Sequence, residues 1–380
     1  MAESEKTAIT CQICDTECHV IKVHLKKDHP EITVEQYQEQ YPHSPLMSNF
    51  AERRFREKMD KRDHLAALKP SAKTSGKVDM HKLFELGDVP AAMSRRGKPI
   101  SVSVFDCPKE HQHLIPEIDP GYIFSIELLK TALMGVELNI PTHLWGHAGT
   151  GKTTMWEQIC AYTQRPFYRV QHTVNTEEAS ILGQWTAIGG ETQFSLGPLP
   201  NAMTNGWLYC ADEYDFAMPH VLGVYQPVLE GKPLVIKEAN MTVKPHPEFR
   251  FVATGNTNGS GDETGLYQGT QIQNAANFER FGIVNKVEYM SPDLEEGVLL
   301  KTGITKNFAG NLVEFANAIR GSYERRDITA PISTRALLNA ASLGMRRGSL
   351  RFGVRVSFIN RLGETSAKIA EDLLQRYVGE

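Results

Sequence analysis

Residues 142–162 read "THLWGHAGTGKTTMWEQICAY": a short extended run, a glycine-rich turn, then a lysine opening a helix. No other stretch limits the fold as much. Gly146, Gly151, Lys152 and Thr153 complete G-x-x-x-x-G-K-[ST] between a predicted strand and a predicted helix. Glycines let the backbone wrap closely, with its N–H groups turned inward toward an anion. The helix that begins at Lys152 points its positive end at the same anion. The loop Gly146, His147, Ala148, Gly149, Thr150, Gly151, Lys152, Thr153 and Thr154 is therefore read as a nucleotide cradle. Lys152 reaches the β- and γ-phosphates, and the Thr153 hydroxyl can ligate Mg²⁺. ATP and Mg²⁺ are the expected ligands.

Triphosphate cleavage also needs acids at a strand end. "GWLYCADEYD" is an apolar strand ending in Asp212 and Glu213, about 60 residues beyond the loop. Asp212 would hold Mg²⁺ through water, and Glu213 would polarise the attacking water. An apolar strand ending in two acids is common by itself; its pairing with the loop gives it meaning. "FRFVATGNTN" is a third strand, running out at Asn256, which could orient the same water. A turn-forming asparagine is the alternative.

The chain has 380 residues, enough for two or three domains. Strand-like runs alternate with helical ones from about Val78 to Met290, which implies an α/β fold with a mostly parallel sheet. Beyond it, apolar residues recur at three- and four-residue spacing, as in "NLVEFANAIRGSY", predicting a helical lid. The expected organisation is a zinc-binding module over 1–50, a charged helix and linker over 51–80, an ATPase core over 81–290 and the lid over 291–380. Net charge is −4, so any nucleic-acid contact must come from a local patch. No apolar run approaches a membrane span, and "MAESEKTAIT" lacks a signal core. A cytoplasmic protein with no membrane contact is expected.

Further runs carry a family likeness: "IPEIDPGYIF", "DEYDFAMPHVLGVYQPVLEGKPLVI", "PHPEFRFVATGNTNGSGDETGLYQGTQ", "FERFGIVNKVEYMSP" and "ISTRALL". With the three motifs above, they resemble the AAA+ ATPases of the CobS family, subunits of aerobic cobaltochelatase, and more broadly the MoxR group. The likeness covers roughly 100–365. It implies that Arg280 is an arginine finger reaching a neighbouring subunit's γ-phosphate, and that Arg335 is the second sensor arginine on the lid. The bland alternative for both is a surface ion pair. It implies a closed homo-oligomeric ring, hexameric in most AAA+ relatives, working with a CobT-like or other metal-dependent adhesion-domain protein. In the chelatase that machine drives Co²⁺ into a corrin ring. "LGQWTAIGGETQFSLGPLPNA" matches the group's insertion, a hairpin turning at Gly189–Gly190 that lines the ring's axial face or is a plain surface hairpin. Gly259, Gly261, Gly265 and Gly269 mark a mobile loop over 258–270, where "GDETGLYQGTQ" is the most specific part of the likeness and its role stays open.

The N-terminus is a separate matter. Cys11, Cys14, His24 and His29 form C-x2-C-x9-H-x4-H, a Cys₂His₂ set suited to Zn²⁺. So short a segment buries little, and the metal would hold it folded. A small buried cysteine cluster is the alternative, and Cys18 and His19 are spare ligands. The spacing and "HLKKDHPEITVEQYQEQYP" resemble the Ros/MucR type of prokaryotic finger, whose members bind DNA. Lys22, Lys26, Lys27, Arg53, Arg54 and Arg56 could contact phosphates. Glu31, Glu35 and Glu39 dilute that charge, so a protein-docking finger is the rival.

Three functions follow. The first is an ATP-hydrolysing ring motor that remodels a partner complex, such as a metal-insertion machine. The second is a zinc-recruited ATPase acting on DNA or a DNA-bound client. The third is a regulatory module with little turnover.

Overall fold

The computed structural model describes residues 8–53, 74–87, 89–188 and 191–379. They fall into two compact units, within Met1–Lys69 and Pro70–Glu380.

The first unit opens with β1 (Ile9–Thr10) and β2 (Glu17–Cys18), an antiparallel pair with Ile9 opposite Cys18. Helix α1 (Ile21–Asp28) and helix α2 (Val34–Gln40) follow. Thr33 and Gln36 close a reciprocal capping box that starts α2. Among the described residues of this unit, Cys11, Ile21, Leu25 and Tyr37 form the buried apolar centre. Helix continues over 49–53, and the rest of the charged segment, with Arg54 and Arg56, lies outside the described residues.

The second unit begins with a ribbon of β3 (Thr74–Asp79) and β4 (Ser101–Phe105). Ser/Gly/Lys composition predicts a linker up to Lys77, yet the strand starts at Thr74. The distant partner supplies what the local sequence lacks: a hydrogen-bonding ladder, and the buried Val102 and Phe105.

Helix α3 (Ile126–Leu138) leads to β5 (Thr142–Trp145) and α4 (Lys152–Tyr162), and then β6 (Phe167–Gln171). A hairpin of β7 (Gly183–Ile188) and β8 (Glu191–Leu196) follows; its turn residues Gly189 and Gly190 are outside the described residues. Helix α5 (Pro198–Asn205), β9 (Leu208–Asp212), a ribbon of β10 (Leu234–Ile236) and β11 (Met241–Val243), β12 (Arg250–Gly255) and β13 (Ile283–Lys286) complete the core.

Five strands form one parallel sheet in the order β13-β5-β12-β9-β6. Alternate residues of β9 feed opposite faces. Leu208 and Cys210 pack with Trp156, Ile159 and Leu129, while Tyr209 and Ala211 pack with Phe251, Tyr225 and Phe281. Both faces are covered, as a parallel sheet requires. The edge strand β13 has no clean apolar signature: Val284 is 43% exposed.

The C-terminal part is helical: α6 (Pro292–Leu300), α7 (Lys306–Glu324), α8 (Thr334–Arg347), α9 (Leu350–Ser357) and α10 (Glu364–Tyr377). Thr305, Ser333 and Ser349 cap α7, α8 and α9 by accepting the N–H three residues on. The lid has its own apolar core, including Leu312, Phe315, Ile319, Leu337 and Leu374. Gly353 lets α9 press on α8, since a Cβ there would stand 2.1 Å from the Ala340 carbonyl oxygen. No helix among the described residues is long and apolar enough to cross a membrane.

Candidate functional site

Strand register assembles the site. Trp145 lies opposite Gly255, Ala253 opposite Ala211, and Gln171 opposite Asp212. The residues just past these ends, Gly146, Asn256 and Glu213, therefore emerge along one edge of the sheet, where α/β proteins bind ligands.

The loop is built around positions that exclude a side chain. Gly146 has φ 148°, and a Cβ there would meet the Val287 carbonyl oxygen at 2.2 Å. Gly149 has φ 78°, with a Cβ position 2.6 Å from Ser333 Cβ on the lid. Lys152 Nζ donates to the carbonyls of Gly146 at 2.6 Å and His147 at 3.0 Å, and to Asn256 Oδ1 at 3.4 Å. Burial pushes the ammonium down to about 8, against the pull of Glu213, Asp215 and Asp212. The Thr150 hydroxyl donates to the His147 carbonyl at 2.9 Å, and Thr154 sits in the first turn of α4.

Thr153 Oγ1 donates to Asp212 Oδ1 at 2.6 Å. The Thr254 hydroxyl donates to the same oxygen, and Arg169 Nε donates to Asp212 Oδ2 at 2.7 Å. Burial disfavours the Asp212 anion, but hydrogen bonds from Thr153 and Thr254, then Arg169, outweigh it and hold the carboxyl below its ordinary range. Glu213 is set differently. It has φ 53°, a left-handed conformation uncommon for a residue with a side chain. Burial, then the charges of Asp212 and Asp215, raises its pKa. Asn256 Nδ2 donates to Glu213 Oε2 at 2.6 Å, so Asn256 joins Lys152 to Glu213.

Arg335, the second residue of α8, has its Cβ 3.7 Å from the Cβ position of Gly149. Arg280 is elsewhere: its Nε donates to Glu230 Oε1 at 2.7 Å and its Nη1 to the Ala276 carbonyl. Beside the loop lies a cavity of about 440 Å³, lined among others by Tyr122, Ile123, Thr150, Gly151, Met155 and Tyr289.

In the first unit, the side-chain donors of Cys11, Cys14, His24 and His29 lie within 4.8 Å of one another. Cys14 Sγ is 3.1 Å from His24 Nε2, and His24 Nδ1 is 3.0 Å from Asp28 Oδ2. Helix α1 stops at Asp28, leaving His29 as its C-cap with φ −139°. That break lets two imidazoles with four residues between them turn toward one point. His29 Nε2 is shut off from solvent without a hydrogen-bond partner among the described residues. Hydrogen bonding with Thr16 above all brings the Cys14 thiol down to about 6, with the nearby His29 and His24 rings acting in the same direction. Cys18 and His19 stand outside this group; His19 Nδ1 pairs with Ser48 Oγ at 2.9 Å.

Sequence reasoning missed Arg169, Thr254 and Asp215. The signal for Asp215 was present, as the third acid of "DEYD". Its Oδ2 accepts the N–H groups of Asn256 and Thr257 at 2.9 and 2.8 Å and the Thr257 hydroxyl at 2.8 Å, fixing the end of β12. Arg169 has no local signal, because only the β6–β9 pairing brings it to Asp212. The cavity residues Tyr122 and Ile123 lay within a quoted family motif without an assigned role.

The AAA domain of the dynein-related subfamily matches residues 141–270, and the CbbQ/NirQ/NorQ C-terminal family matches 295–374. The chain is 31% identical to the aerobic cobaltochelatase subunit CobS of Sinorhizobium sp over 276 residues, 70% of this chain and 83% of that protein. It is 27% identical to the protein NorQ of Paracoccus denitrificans, covering 59% of this chain and 80% of NorQ. With the denitrification regulatory protein NirQ of Pseudomonas aeruginosa it shares 25% identity over 61% of this chain and 86% of that one. A parallel α/β core with a phosphate loop, a helical C-terminal part and these relatives place the chain in one family: it belongs to the MoxR-type AAA+ ATPases, with CobS and NorQ.

Proposed function

We propose that this chain hydrolyses ATP at Glu213 and uses the cycle, as a ring of identical subunits, to remodel a partner complex. The observation that carries the reading is the convergence of Lys152, Thr153, Asp212, Glu213 and Asn256 at one sheet edge. The loop N–H groups and Lys152 bind the phosphates, and the cavity beside the loop, with Tyr122 and Met155 in its mixed lining, takes the base. Thr153 and Asp212 suit a hard cation and would hold Mg²⁺, which would neutralise charge on the phosphates. Glu213, with its raised pKa and Asn256 bond, takes the proton of the attacking water. Arg335 joins lid to phosphate, so that hydrolysis changes the angle between them.

Arg280 acts in trans, on a neighbour's phosphate, after leaving Glu230. Its partners here are Glu230 and Ala276, neither of them part of the chain's own phosphate loop. A finger in trans calls for a closed ring, taken as hexameric, and the likeness to CobS suggests a CobT-like or other adhesion-domain partner. Metal insertion into a corrin is the narrowest form of this proposal.

Cys11, Cys14, His24 and His29 would hold Zn²⁺, which supplies the tetrahedral cross-link that so small an apolar centre lacks. The donor set fits: two thiols, two imidazoles, one orphaned nitrogen on His29, and Asp28 orienting His24 from behind. A second reading, recruitment to DNA, is favoured by one observation: Lys22, Lys26 and Lys27 are all exposed on α1.

Phosphate release by the wild-type, Lys152→Ala and Glu213→Gln chains tests the reading. Turnover should vanish in both variants, with ATP binding kept in Glu213→Gln. Mixing the Lys152→Ala and Arg280→Ala chains, each inactive alone, should restore part of the turnover, because some seams then pair an intact cradle with an intact Arg280. Equal turnover in all three chains would overturn the proposal.

A further inference from the structure

Residues 258–270 are the run that the ATPase reading leaves without chemistry. The segment is held, not loose. Asp262 Oδ1 accepts Thr264 N–H at 2.8 Å and the Thr264 hydroxyl at 2.7 Å, and Oδ2 accepts Tyr267 N–H at 2.6 Å. Just beyond it, Gln271 N–H donates to the Asp215 carbonyl at 2.7 Å, tying the run to the acidic strand end.

This anchoring places Tyr267 on the phosphate loop. Ala148 N–H donates to the Tyr267 hydroxyl at 3.0 Å, and the same oxygen lies 3.0 Å from His147 Nδ1. The His147 carbonyl in turn accepts from Lys152 Nζ at 3.0 Å. One peptide unit therefore has its oxygen on Lys152 and its N–H on Tyr267. The His147 ring lies parallel to Tyr289 and meets Tyr323 edge-on, so aromatic rings wall this side of the loop.

A phenol has one O–H and two lone pairs. Ala148 N–H uses one lone pair; with the His147 proton on Nδ1 that ring takes the other, and the O–H is left to donate to a strong acceptor. Burial, with the hydrogen bond from Ala148 opposing it, leaves the phenol above its ordinary range, so at neutral pH the group is a proton donor. The strongest acceptor expected within reach of Lys152 is a phosphoryl oxygen, and hydrogen bonds to charged groups are the strong ones.

We propose that Tyr267 is a nucleotide contact: its hydroxyl donates to the terminal phosphoryl group of ATP, and residues 258–270 are the strap that carries it. The inference rests on the ATPase reading and deepens it. ADP lacks the terminal group, so Tyr267 makes the site prefer ATP, and the strap links that preference to Asp215 and the acids beside it. Asp262 is a positioning residue, since it acts only by holding Tyr267 in place.

The test uses the full chain carrying Glu213→Gln, in which ATP persists, with and without Tyr267→Phe. ATP–Mg and ADP–Mg are titrated into each by calorimetry. Tyr267→Phe should weaken ATP about tenfold and leave ADP within about twofold. Asp262→Ala should shift the ratio in the same direction. An unchanged ATP-to-ADP ratio, or tighter ATP binding, in Tyr267→Phe overturns the inference; deleting one oxygen leaves that variant decisive even if Asp262→Ala fails to fold. A parent chain that binds neither nucleotide would instead refute the ATPase reading beneath it.

Discussion

Asn256 bridges Lys152 and Glu213: its Nδ2 donates to Glu213 Oε2 at 2.6 Å while its Oδ1 faces Lys152 Nζ at 3.4 Å. One amide therefore connects the lysine proposed to grip phosphate to the glutamate proposed to take the water proton. Asn256→Ala should lower kcat about a hundredfold while changing ATP affinity little, because the bond is spent on orienting the base. Phosphate release at saturating ATP, beside equilibrium binding, checks this; an equal loss in kcat and affinity would assign Asn256 to binding.

The two ends of that bridge set a pH profile. The Lys152 ammonium sits at about 8, so kcat/KM should fall as pH rises through that value and the cation is lost. As the proposed base Glu213 must be an anion, and its pKa is raised by burial and by Asp212 and Asp215, so the acid limb should lie above the ordinary glutamate range. A profile that stays flat on its alkaline side up to about pH 10 would contradict the Lys152 assignment.

Gly149 meets the lid. A side chain there must adopt φ 78° and intrude within 2.6 Å of Ser333 Cβ. Gly149→Ala should cost about 1–3 kcal/mol in thermal unfolding and weaken nucleotide binding. Adding Ser333→Gly should recover part of the loss, since it removes the opposing carbon at a helix cap that glycine tolerates. No recovery would trace the cost to backbone strain alone.

For the N-terminal unit, one zinc per chain is expected by elemental analysis, falling toward zero in Cys11→Ser. Chelation should expose residues 8–53 to protease, because four buried apolar residues cannot hold them. Protection that persists in the metal-free chain would mean that the cysteines and histidines are a structural cluster only.

Much of the core was legible from Gly146 to Thr153, from the strand ending at Asp212 and Glu213, and from the strand leading to Asn256. These are local signals: short apolar runs buried along nearly their whole length, whose polar end residues take their meaning from pairing with the glycine-rich loop. The strand Ile283–Lys286 was not legible, being four residues long and half-exposed at the sheet edge. Nor was Thr74–Asp79, whose partner lies more than twenty residues away in sequence.

The sequence by itself determined the phosphate loop, the acids and the family, because those depend on residue type at fixed short spacing. Only the tertiary structure decided which side chains meet: Arg169 on Asp212, Asp215 beneath Asn256, Tyr267 on Ala148, and Gly149 against Ser333. Each of those contacts joins segments well apart in the chain. They are set by strand register and loop anchoring, which the packing of the whole sheet fixes and no local window contains.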